Sequence, residues 1–127
     1  MIRVAFCDDS AEMRVALRLL LGLSKNIEIA CEVSNGQEAI DCVKSFQPDV
    51  LVMDISMPVK HGYEATKEIV DLALPTRVIL ISTDIGSHVA RKAAAYGAHG
   101  FVPKDDVAQL LVQAIETVHR GEPFFVE

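Results

Sequence analysis

Five short, mostly apolar stretches alternate along the chain with segments in which apolar residues recur every three or four positions. Ile2–Cys7, Ile27–Val33, Val50–Met53, Val78–Ile81 and Gly100–Val102 are each bounded by turn-forming residues. Continuous apolar runs of this length suit strands covered on both faces, as in a parallel sheet. Between them, Ser10 caps a helix that runs to about Leu23. Ala39, Ile40, Val43 and Phe46 mark a second helix that stops before Pro48, and Gly62 opens a third carrying Ala65, Ile69 and Leu72. An alanine-rich helix follows, with Gly97 as its left-handed terminator. The last helix is expected to bury Val107, Leu110, Leu111, Ala114, Ile115 and Val118 and is closed by Gly121. Strict alternation of five strands with five helices predicts a doubly wound α/β domain with right-handed crossovers and helices on both faces. Pro103 lacks an N–H and therefore predicts that the fifth strand lies at the sheet edge.

The first helix is apolar over more of its circumference than a helix on a sheet needs: Met13, Val15, Ala16, Leu17, Leu19, Leu20 and Leu21. Together with Val112, which lies off the buried stripe of the last helix, this surplus predicts a symmetric dimer patch on helices one and five.

A length of 127 residues fits one domain, residues 1–127, with a single proper core. A net charge of −6 argues against direct nucleic-acid contact by this domain, which would need clustered Lys and Arg. The three cysteines, odd in number and without metal-like spacing, are expected to be reduced: Cys7 and Cys31 as strand core residues, Cys42 as a helix core residue. The opening residues read directly as a strand, so no signal peptide is expected, and no apolar run approaches the ~18 residues of a membrane span. A cytoplasmic domain without membrane contact is expected. His61, His88, His99 and His119 are scattered and are expected at the surface.

Chemistry enters at the strand ends. The first strand delivers Asp8 and Asp9, the third Asp54, the fourth Ser82 and Thr83, and the fifth Lys104. In a doubly wound sheet the carboxyl ends share one crevice. Three carboxylates in that space repel one another unless a cation joins them. Ligands that are all oxygen suit a hard divalent ion, Mg²⁺ or Mn²⁺. A metal, one ammonium and one hydroxyl together would hold the three outer oxygens of a phosphoryl group. That group could be bound, or transferred onto an Asp carboxylate acting as nucleophile.

Asp8-Asp9, Asp54-Ile55-Ser56-Met57-Pro58 with Gly62, Ser82-Thr83 and Lys104 resemble the pattern of response-regulator receiver domains along the whole chain. Residues 54–58, Lys104-Asp105 and the Ala114-Ile115…Val118…Gly121 ending are most similar to receivers of the helix-turn-helix (LuxR/FixJ-type) transcription regulators. The resemblance implies a flavodoxin-like (βα)5 fold with a five-stranded parallel sheet of order 2-1-3-4-5. It implies Asp54 as phosphoacceptor from a histidine kinase or phosphotransfer protein. Mg²⁺ would be held by Asp9, Asp54 and the backbone carbonyl of Ser56, with Asp8 assisting. Ser82 and Lys104 would engage the phosphoryl group, and Phe101 would be the aromatic that turns inward as Ser82 moves. The changed surface of helix 4, strand 5 and helix 5 would control an output, expected to be transcription through a DNA-binding domain outside residues 1–127.

Two departures from the pattern carry expectations. Asp105 stands where many receivers have a cis proline, so a trans Lys104–Asp105 bond is expected. Thr83 is bulkier than the Ala or Gly common there and is expected to crowd the hydrolytic water. Two other functions share the crevice chemistry. A metal-dependent phosphohydrolase with an Asp nucleophile would need a second acid where Ser56 stands, and it would need a cap domain. A binding module that keeps the fold without phosphorylation would not need the full set of side chains present here.

Overall fold

In the computed structural model, which describes residues 1–127, the five apolar runs form parallel strands. They are β1 (Ile2–Cys7), β2 (Ile27–Val33), β3 (Val50–Asp54), β4 (Arg77–Ser82) and β5 (Gly100–Pro103). The intervening helices are α1 (Ala11–Gly22), α2 (Gly36–Phe46), α3 (Gly62–Asp71), α4 (Ser87–Ala95) and α5 (Val107–His119), the last preceded by a 3-10 turn over Lys104–Asp106. The strands pair in the order β2-β1-β3-β4-β5, as expected, and every peptide bond is trans, Lys104–Asp105 included.

The reason the strands lack alternation is visible in β3. Leu51 and Met53 enter the core layer shared with α2, α3 and α4, whereas Val50 and Val52 enter the layer shared with α1 and α5. Both faces are dry, so both parities are apolar.

The structure corrects five expectations. The sheet has six strands, because Phe124–Phe125 form β6, paired in parallel with Gly100 and Phe101 of β5. β5 is therefore not the edge. Pro103 is in register with Ser82 of β4 but is the last residue of β5 and lies past the two positions paired with β6, where its missing N–H is harmless. Cys31 and Cys42 are joined in a disulfide between β2 and α2, leaving only Cys7 as a free, buried thiol. His99 is not a surface residue: its Nδ1 accepts the Val78 N–H at 3.1 Å. Burial, then the charge of Arg77, push its pKa below the usual imidazole value, which keeps that acceptor neutral. His61 caps α3, its Nδ1 accepting the Tyr63 N–H. Phe46, at the end of α2, faces solvent rather than the core.

The surplus on α1 is real. Only Leu17 and Leu21 are buried, while Val15 and Leu19 remain 45% and 66% exposed. None of the helices is long and apolar enough to cross a membrane.

Candidate functional site

The carboxyl ends of β1, β3, β4 and β5 converge as a doubly wound sheet requires. Asp8 is wholly buried, Asp54 is 4% exposed and Asp9 lies at the open rim. One carboxylate oxygen from each of the three lies within 4.8 Å of the others. Lys104 crosses from the end of β5 to meet them, its Nζ 2.9 Å from Asp8 Oδ2 and 3.3 Å from Asp54 Oδ2.

Local backbone geometry holds each acid in place. Asp8 Oδ1 accepts the Ser10 N–H at 2.9 Å, while Ser10 itself caps α1 through the Met13 N–H. Arg14, one turn into α1, donates to the Asp8 carbonyl at 2.8 Å. Nothing in its spacing had marked Arg14 as part of the site. Asp54 Oδ1 accepts the Ser56 N–H at 3.3 Å. The loop after Asp54 folds back so that the Gly62 N–H reaches the Ile55 carbonyl at 2.7 Å.

That return requires glycine. A Cβ on Gly62 would sit 2.5 Å from the Asp54 carbonyl oxygen and 2.7 Å from Ile55 Cα. Gly62→Ala should therefore cost about 1–3 kcal/mol in urea unfolding and loosen the Asp54 loop. An unchanged midpoint would show that the loop yields without cost.

The charges do not balance: three carboxylates face one ammonium. Burial, then the Asp8 charge, raise the Asp54 pKa to about 6, against the pull of Lys104. Burial opposes the Lys104 charge, but hydrogen bonds and charges from Asp8 and Asp54 hold its pKa above the ordinary value. Asp8 Oδ2 is buried with no properly directed hydrogen-bond donor and only Lys104 beside it. A buried oxygen whose one neighbour of opposite charge is Lys104, surplus negative charge and an all-oxygen donor set fit a hard divalent cation.

The other expected residues lie around this centre. Ser82 is buried at the end of β4, its Oγ accepting the Asp84 N–H at 3.0 Å. Thr83 and Ser56 are exposed at the mouth. Phe101 is fully buried, in the core layer that includes Val89, Ala90 and Ala93 of α4. Beside the mouth, a cleft of about 300 Å³ is lined by Ser56, His61, Tyr63, Asp84, His88 and Lys92. Its wall includes His61 stacked on Tyr63, with Lys92 Nζ 4.9 Å from the Tyr63 ring centre, and Tyr63 stacks in turn on Tyr96 outside the cleft. Sequence reasoning missed this wall; the one available signal was His61 directly before a helix-opening glycine.

A family profile described as the response regulator receiver domain matches residues 4–116. The chain is 40% identical over 132 residues to protein-glutamate methylesterase/protein-glutamine glutaminase 1 of Methanosarcina mazei, covering 97% of this chain and 37% of that protein. It is 36% identical over 121 residues to the transcriptional regulatory protein LnrK of Bacillus subtilis, covering 95% of this chain and 55% of that protein. The chain thus spans little more than a third to a half of these relatives. Among solved structures, a LuxR-family two-component response regulator from Aurantimonas sp. SI85-9A1 superposes with a TM-score of 0.92 at 31% identity, over 98% of this chain and 89% of that one. The response regulator domain of Thermotoga maritima CheB superposes with a TM-score of 0.88 at 34% identity, over 97% and 99% of the two chains.

Proposed function

We propose, for a chain that belongs to the response regulator receiver domains of two-component systems, that its switch is phosphorylation of Asp54. The observation that carries this reading is the buried, charge-unbalanced cluster of Asp8, Asp9 and Asp54 with Lys104 beside it. A carboxylate oxygen of Asp54 attacks the phosphorus of a phosphohistidine on a histidine kinase or phosphotransfer protein. The P–N bond breaks as the O–P bond forms. With its pKa at about 6, Asp54 is ionised at neutral pH and able to act as nucleophile. Asp8, Asp9, Asp54 and the Ser56 carbonyl would hold Mg²⁺ or Mn²⁺, which supplies charge neutralisation at the phosphoryl oxygens. Lys104 takes one of those oxygens. Ser82 exchanges the Asp84 N–H for another, and Phe101 lies on the side to which the family's switch aromatic turns.

The new charge of about −2 biases the surface of α4, β5 and α5 toward its active arrangement. The output we propose is transcription, in keeping with LnrK, DesR and the LuxR-family structure among the relatives. The methylesterase relatives favour a second reading, in which the same switch controls an attached enzyme. In either case residues 1–127 form one receiver domain that turns over no separate substrate, acts in the cytoplasm and touches neither DNA nor membrane itself. The exposed Val15 and Leu19, with Val112 on α5, form the homodimer patch on activation.

Intact mass after incubation with acetyl phosphate and Mg²⁺ tests the central claim. Wild type should gain one phosphoryl group and Asp54→Ala none. A gain in both, or in neither, removes Asp54 as acceptor, and turnover of a phosphate ester would favour the phosphohydrolase instead. Thr83→Ala should shorten the acyl phosphate lifetime by up to about tenfold, a barrier change of about 1.4 kcal/mol. An unchanged lifetime means that Thr83 does not shield the bond.

A further inference from the structure

The disulfide between Cys31 and Cys42 has no part in the phosphoryl chemistry, yet it joins two elements that border the site. Cys31 lies on the edge strand β2 and is half-buried, whereas Cys42 on α2 is 4% exposed. An open groove of about 260 Å³ runs beside the bond, lined by Cys31, Val33, Asp41, Cys42, Ser45 and Phe46. An incoming thiolate can therefore reach Cys31 Sγ more readily than Cys42 Sγ.

The N-terminus of α2 touches the Asp54 site from two sides. The Cys7 thiol, directly before Asp8, donates to the carbonyl of Asn35, the cap of α2, at 3.2 Å. On the other side, the backbone of Gly36 presses on Lys60, so closely that a Cβ there would meet the Lys60 Cβ at 2.9 Å. Lys60 belongs to the loop that leaves Asp54 and carries Ser56. Residues 35 and 36 thus form a corner wedged between the end of β1 and the loop after β3, and Cys42 is the covalent pin that holds its helix to the sheet.

We infer that Cys31 and Cys42 are a reversible thiol–disulfide modification site whose redox state sets how firmly the Asp54 loop is held. The co-substrate is a dithiol, such as the reduced active site of a thiol oxidoreductase. Its first thiolate attacks Cys31 Sγ, the Cys31–Cys42 bond breaks, and Cys42 leaves as a thiolate that takes a proton. The second thiol of the donor then displaces Cys31, which takes the other proton, and the donor departs as a disulfide. Two electrons pass from the donor to the protein. An oxidised disulfide donor runs the steps in reverse. With the pin gone, α2 is held to the sheet by apolar contacts and by hydrogen bonds at its two ends, from Cys7 to Asn35 and from Arg3 to Phe46, and the Gly36–Lys60 contact loosens.

The regulatory half of this inference rests on the proposed phosphoryl switch, and the experiment separates the two. Alkylation in denaturant should count one thiol in the oxidised chain and all three cysteines after dithiothreitol. The oxidised form should bind Mg²⁺ about fivefold more tightly by calorimetry. Without metal, it should also exchange the amide hydrogens of residues 55–61 more slowly. The double variant Cys31→Ser/Cys42→Ser should match the reduced form whatever the buffer. Three alkylated thiols after treatment with oxidised glutathione would overturn the site. Equal Mg²⁺ affinity and equal exchange in the two forms would overturn the coupling. Failure of both forms to accept phosphoryl from acetyl phosphate would sink the proposed function while leaving the thiol count and amide exchange to decide the redox link.

Discussion

Lys104→Met should destabilise the metal-free protein by about 2–4 kcal/mol at pH 7.5, because it removes the only cation from Asp8 and Asp54. The loss falls short of a fully uncompensated buried charge, since Asp54 can take up a proton in the variant. Urea unfolding in the presence of a chelator measures it. Two conditions should narrow the gap: pH 5, where Asp54 is already mostly protonated, and millimolar Mg²⁺, which replaces the missing positive charge. The wild-type contribution has the opposite window. The folded-state pKa of Lys104 is raised, so the part of the stabilisation that depends on its own charge is present below the ordinary lysine value and is lost as alkaline pH rises through the folded one. A variant as stable as wild type, or a deficit unmoved by acid and by metal, would mean that Lys104 does not compensate the acids.

Asp54→Asn should do the reverse. Asp54 titrates at about 6 in the fold against 3.8 as its reference, so the folded chain binds this proton more tightly than the unfolded one. The associated stability is complete below the unfolded value and is lost as pH rises through about 6. At pH 7.5 the wild type therefore carries a cost of about 2–3 kcal/mol, from about 2 units at 1.36 kcal/mol each. An uncharged amide of the same shape avoids most of it. The variant should be more stable than wild type by about 2 kcal/mol at pH 7.5 without metal, and should lose that advantage by pH 4. Mg²⁺ should raise the melting temperature of wild type and move the variant little. If the amide brings no gain at neutral pH, the repulsion among Asp8, Asp9 and Asp54 is weaker than their spacing implies.

Both expectations concern residues that could be read from the chain alone, and for one reason. A strand buried on both faces tolerates no charge, so Asp8, Asp54 and Lys104 each stand out at the point where an apolar run stops. The same dryness made the spans of β1 and β3 legible. What stayed hidden depends on distances between separate elements. The Cys31–Cys42 pair forms because α2 lies over β2, and no spacing along the chain records that contact. His99 reads as a surface imidazole until the backbone N–H of Val78 is seen to need an acceptor. β6 is two residues long, too short to leave any periodicity. Phe46 follows the helical repeat of α2 but comes at its last residue, where the sheet no longer lies beneath it.

The two rims of the sheet bear on how crowded a solution the protein can tolerate. On one side β6 covers part of β5 and ends after two residues, leaving an outsider little ladder to extend. On the other, β2 is seven residues long but carries Glu28 and Glu32, each exposed and paired with a nearby arginine, Arg3 or Arg18. A second molecule laying a strand along that rim would bring like carboxylates face to face. Resistance to fibrous aggregation is thus built into a stub at one border and a charged fringe at the other.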